Sequence, residues 1–96
     1  MKQIWKYQLT VRDRMHVLMP RGAKILTVQI QRDNPCVWAL VDPEKADERR
    51  TFVIFGTGHP VIHDERLIYI GSFQLDGGAL IFHVFEEITL DESIPA

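Results

Sequence analysis

The stretch Leu67-Ile68-Tyr69-Ile70-Gly71-Ser72-Phe73-Gln74-Leu75-Asp76-Gly77-Gly78-Ala79-Leu80-Ile81-Phe82-His83-Val84-Phe85-Glu86-Glu87 decides the fold class. Its two flanks are rich in β-branched and aromatic residues, which fit a pleated and half-buried surface. Its centre, Asp76-Gly77-Gly78, accepts the positive φ angles of a tight reversal. The reading is an antiparallel hairpin, Leu67 to Leu75 against Ala79 to Glu87.

Working outward, the same signal recurs. Arg50 to Phe55 is an apolar strand that ends at Gly56-Thr57-Gly58-His59-Pro60. Cys36 to Val41 is apolar throughout and is expected to be central, entered through a tight Asp33-Asn34-Pro35 connection. Ala23 to Gln31 sets Leu26, Val28 and Ile30 on one face and Thr27, Gln29 and Gln31 on the other, with Ile25 breaking the pattern. Met15, Val17 and Met19 form a short set that stops at Pro20-Arg21-Gly22. At the start, Trp5, Tyr7, Leu9 and Val11 share a face opposite Lys6 and Gln8. Asp42 to Arg49 is the most polar segment. It reads as an exposed loop with up to one helical turn, capped by Asp42 and begun by Pro43. About seven short strands separated by turn signals predict an all-β, single-domain antiparallel sandwich or small barrel over residues 1–90. Residues 91–96 read as a flexible acidic tail.

Composition narrows the function classes. A chain of 96 residues makes one domain with a thin core. Its 46% hydrophobic and 25% charged content is that of a globular protein. Eleven basic and thirteen acidic residues leave a net charge of −2. That balance argues against DNA binding through the neutralisation of many phosphates. The single cysteine, Cys36, forms no internal disulfide and reads as a buried, inert thiol, which fits a reducing compartment. The alternating start excludes a signal peptide, and no apolar run approaches the ~20 residues of a membrane span. The expectation is a cytoplasmic protein without membrane contact.

Chemistry-bearing residues are few. In Gly56-Thr57-Gly58-His59, two glycines can turn backbone N–H groups toward an anion, with the Thr57 hydroxyl and the His59 imidazole as further donors. No lysine or helix follows, so a nucleotide hydrolase of the phosphate-loop type is excluded. His59 and His63 stand four apart but span Pro60 outside any helix, and neither metal nor cofactor is expected. His83 groups with Ile81 and Phe85 on an apolar strand and reads as a core or cavity-lining residue. Ser72 lacks the glycine flanks of a nucleophile elbow, and Glu86 and Glu87 point to opposite faces of their strand. These readings speak against an enzyme. Trp38 groups with Cys36 and Leu40 and can stack a base if exposed, and Arg49 or Arg50 can neutralise an anion.

Five segments also resemble, in order, a family of small uncharacterised β-rich proteins of bacteriophages and prophages. They are Pro20 to Gln29, Pro35 to Asp42, Phe55 to Pro60, Tyr69 to Gln74 and Phe82 to Glu86. The resemblance spans about Ile4 to Glu87 and implies a phage setting without any catalytic assignment. By analogy with small phage proteins that sequester signalling nucleotides, the expected function is non-enzymatic capture of a small anionic ligand, such as a nucleotide of host immunity. The expected site joins Gly56, Thr57, Gly58, His59, Arg49, Arg50, Trp38 and His83, in a homo-oligomer. The alternative is an accessory protein that grips a host protein or serves as a structural component.

Overall fold

The computed structural model describes residues 1–88, so the acidic tail expected over 91–96 lies outside the described residues. Seven strands run in chain order: β1 (Gln3–Gln8), β2 (Arg14–Pro20), β3 (Lys24–Gln31), β4 (Asn34–Val41), β5 (Asp47–Gly56), β6 (Leu67–Leu75) and β7 (Leu80–Glu87). All pairings are antiparallel and make two sheets, β1-β4-β3 and β2-β5-β7-β6. Short 3-10 turns at Asp64–Arg66 and Asp76–Gly78 are the helical pieces among the described residues. The barrel alternative does not hold, because among the described residues β1 pairs only with β4 and β2 only with β5, which leaves the ring unclosed.

Alternation along each strand fills one shared core. Val28, Val37, Ala39 and Val41 point inward from the three-stranded sheet. Met19, Phe52, Ile54, Phe73 and Val84 meet them from the four-stranded sheet. The sheets come closest where β3 passes β6. There the Gly71 α-carbon lies against Val28, and a methyl built on it would stand 2.8 Å from Val28 Cγ1. A register shift between Tyr69 and Gly71 marks a bulge at this approach.

The 67–87 hairpin forms as read, closed by the Ala79 N–H donating to the Asp76 carbonyl at 3.1 Å. Three boundaries differ from expectation. The β3–β4 reversal falls on Arg32 and Asp33, both at positive φ, and Asn34 and Pro35 already belong to β4. Val11 drops out of the first strand and is 43% exposed, because β1 stops at Gln8 and the chain bends before Arg14. The polar loop is shorter than read. The Asp42 carboxylate accepts from the Glu44 N–H and the Asp42 carbonyl from the Lys45 N–H, each at 3.1 Å, closing a single turn. Asp47, Glu48 and Arg49 are strand residues, because their backbone pairs with Pro20, Met19 and Leu18 of β2.

Tyr7 faces the interior from β1, and its buried hydroxyl has no hydrogen-bond partner among the described residues. Burial first, and then the nearby Asp47 charge, hold its phenol above the ordinary range. A raised folded pKa means stability that is present below about pH 10, the free tyrosine value, and is lost as pH rises through the folded one. Tyr7→Phe removes an unsatisfied group without opening a cavity. It should match or exceed the parent by up to about 1 kcal/mol in urea unfolding at pH 7. It should also lose less stability than the parent above pH 10, and a loss of more than 1 kcal/mol at neutral pH would contradict the assignment.

Candidate functional site

The Gly56–His59 bend continues β5 past its last pair, Gly56 with Phe82. It is a β-turn closed by the His59 N–H donating to the Gly56 carbonyl at 3.0 Å, and Gly58 supplies the left-handed corner at φ 89°. The Thr57 N–H donates to the Ile81 carbonyl at 3.1 Å. The Thr57 and His59 amides are therefore spent within the fold, while the Gly58 N–H has no acceptor among the described residues. The His59 ring folds back on Gly56, where a built methyl would sit 3.2 Å from Cε1.

The bend meets β6 and β7 through a line of hydroxyls and one imidazole. Tyr69 OH lies 2.6 Å from Ser72 Oγ, which lies 2.7 Å from His83 Nδ1. His83 Nε2 lies 2.8 Å from Thr57 Oγ1, which donates weakly to the Ile81 carbonyl at 3.4 Å. One set of proton positions satisfies every member. Tyr69 donates to Ser72, Ser72 to His83 Nδ1, and the His83 Nε2–H to Thr57. Phe85 packs beside this line, 5.4 Å from the Tyr69 ring and 5.8 Å from that of Phe55. All these side chains share the outer face of the four-stranded sheet.

Two concavities flank His59 and both include it in their walls. One of about 280 Å³ runs past Thr57 to Leu80 and Phe82. The other, of about 420 Å³, is floored by Val53 and Phe55 and walled by Pro60, His63, Arg14 and Glu87. Arg14 Nη1 donates to Glu87 Oε2 at 2.7 Å, so the cationic rim carries its own counter-charge. His63 stands 3.5 Å from Glu65, whose carboxyl is held below its ordinary range first by a backbone N–H and further by His63.

The structure thus gathers Gly56, Thr57, Gly58, His59 and His83, and leaves the other predicted residues elsewhere. Arg50 lies six residues back along β5, about 20 Å from Gly56 at strand rise. Its guanidinium is engaged by both oxygens of Glu86 and by the Ala23 carbonyl at 2.7 Å. Arg49 and Arg50 line a separate hollow of about 320 Å³ with Glu48, Glu86 and Glu87, whose three carboxylates outnumber the two arginines. Trp38 sits on the outer face of the other sheet. Sequence reading did not assign Arg14, Phe55 or Tyr69 to the site, and it weighed Ser72 only as a nucleophile. For Ser72 the signal was present, because the hairpin turn fixes Ser72 opposite His83 once Leu75 is paired with Leu80.

Among the described residues no group of three or more His, Cys, Asp or Glu side chains could hold a metal ion. No helix among them is long and apolar enough to cross a membrane. Fold and site together define a two-sheet antiparallel β protein with a histidine-flanked cleft on one outer face. The chain belongs to the family described as a domain of unknown function, DUF7352, whose model matches residues 1–94. No curated protein and no solved structure matches it.

Proposed function

We propose that the protein is a non-enzymatic binding module that holds a small anionic ligand, of nucleotide type, in the cleft beside His59. The observation that carries this reading is the cleft itself. Its volume of about 420 Å³ lies within the range of small-molecule sites, and an aromatic floor at Phe55 faces polar groups from Arg14, His59 and His63. Sequestration rather than turnover is favoured by the surroundings of Ser72. Its imidazole partner is held on the far nitrogen by the Thr57 hydroxyl, where a serine hydrolase uses a carboxylate. The phage setting suggested by the sequence resemblance supports a signal-capturing role in a host cytoplasm.

Thermal shift against a panel of signalling nucleotides tests this. A ligand at a hundredfold excess over its Kd adds about 2.7 kcal/mol. In a domain of this size that raises the melting temperature by about 10–20 °C. His59→Ala and Arg14→Ala should each abolish most of the shift. The reading fails if no nucleotide moves the transition.

The edges of β1 and β2, open among the described residues, favour a second reading. Unpaired backbone groups there can add a strand from a host or virion protein, or from a second copy in the expected homo-oligomer. A stoichiometric protein partner recovered without any retained small molecule would replace the first reading with this one.

A further inference from the structure

The strands of the three-stranded sheet, Gln3–Gln8, Lys24–Gln31 and Asn34–Val41, contain no aspartate or glutamate, in a chain that carries thirteen. Acidic side chains begin only at the flanking turns, with Asp33 and Asp42, whereas the strands carry Lys6 and Lys24. Whole-chain charge hides this segregation. The net value of −2 averages a carboxylate-free sheet with one that holds Asp47, Glu48, Glu86 and Glu87.

Register places Trp38 at the centre of this sheet's outer face. Its cross-strand partners are Lys6 on β1 and Thr27 on β3. One row along the strands lie Ile4, Leu40 and Lys24, and one row the other way Gln8, Cys36 and Gln29. Val37 and Ala39, the inward neighbours of Trp38, are fully buried, while Trp38 itself keeps part of its surface in solvent. Lys6 Nζ donates to Gln31 Oε1 at 2.6 Å, a bridge from β1 to β3 across β4 that helps explain why the outward Cys36 is covered.

We propose that this face is a binding platform for single-stranded nucleic acid. Trp38 stacks a base, Lys6 and Lys24 contact phosphates on either side of it, and the Gln8 and Gln29 amides reach base edges. The lysines stand on opposite edge strands and two residues apart along them, about 12 Å on the diagonal, so a chain crossing the strands obliquely passes the ring between them. An indole flanked by cations and free of carboxylates matches an unpaired base with its phosphates. The flat face offers no element to enter a duplex groove. It lies on a different sheet from the cleft, and the proposal does not depend on ligand binding there.

The test is fluorescence anisotropy of labelled oligo(U) and oligo(dT) dodecamers titrated with the full chain. Binding is expected at low salt, with affinity falling as salt rises by a log–log slope of about −1.4, the value for two phosphates on a single strand. Trp38→Ala should weaken binding about tenfold, and Trp38→Phe, which keeps a ring, should restore most of it. Lys6→Glu combined with Lys24→Glu, at exposed positions that spare the core, should weaken binding at least tenfold and flatten the salt dependence. Arg66→Glu, in the exposed turn that precedes β6 and away from this face, should stay within twofold of the parent. The proposal is overturned by no binding to either oligomer at low salt, or by equal affinity for duplex. It is also overturned by an equal loss with Arg66→Glu. Salt-insensitive binding of a neutral oligosaccharide, or Trp38-dependent self-association in place of oligomer binding, would overturn it too.

Discussion

Gly71→Ala is expected to lower the melting temperature by about 10 °C, a loss of about 2 kcal/mol in a domain of this size. The cause is steric and not conformational, since Gly71 does not adopt a positive φ. Its α-carbon faces Val28 where β6 passes β3, and an added methyl would stand 2.8 Å from Val28 Cγ1. Val28 is 4% exposed, so it cannot swing clear, and the sheets must part or the bulge must shift. The cause has its own signature. Val28→Ala alone opens a cavity and costs about 2 kcal/mol, but in the Gly71→Ala background it removes the clashing carbon. The double variant should be more stable than the sum of the two losses predicts, by about 1–2 kcal/mol in chemical unfolding. Strict additivity would show that the close approach is not what Gly71 provides.

Arg50→Met should be at least as damaging, at about 2–4 kcal/mol. Arg50 and Glu86 side chains are only 17% and 14% exposed, and they pair through two hydrogen bonds while a third N–H reaches the Ala23 carbonyl. Glu86, and more weakly Glu48, hold the guanidinium above its ordinary pKa against the opposing effect of burial. Removing the arginine leaves a shielded carboxylate and a carbonyl without partners, which costs more than the pair contributes when intact. The companion double variant, Arg50→Met with Glu86→Leu, closes the same space with apolar groups. It should recover at least half of the loss in a urea titration. If it unfolds as readily as Arg50→Met alone, the damage arises from lost packing and not from a stranded charge.

Much of the fold was legible because half-buried strands write their alternation into the sequence. The hairpin around Asp76–Gly78 follows from period and turn chemistry alone. The alternation read on β3 fails at its start, because the register shift between Ile25 and Thr27 turns Ile25 onto the core and leaves Leu26 43% exposed, and on β7 Val84 fills the core where His83 was read as a core or cavity-lining residue. The misreading of Asp47 to Arg49 has a plain cause. A strand end that borders solvent tolerates polar side chains, and its partners on β2, Leu18 to Pro20, lie far back in the sequence. The site was half legible. Composition marked the Gly56–His59 bend and His83, but nothing local says that the bend's amides are consumed by Gly56 and Ile81. Arg50 resembled an anion clamp because a sequence shows an arginine's charge and not its partner, which lies 36 positions on.

The placement of β1 and β2, neighbours in the chain but members of different sheets, sets the order in which the protein can assemble during synthesis. As the chain leaves a ribosome, Gln3–Gln8 has no partner until Cys36 to Val41 have emerged, and Arg14–Pro20 has none until the Asp47–Gly56 strand follows. The β3–β4 reversal is the first pairing available, since its two strands are adjacent. Ile4, Trp5 and Leu18 therefore spend that interval on unpaired strands, interrupted by Lys6, Arg14 and His16. The β3–β4 pair becomes the template, and the strands made before it wait to be collected onto it.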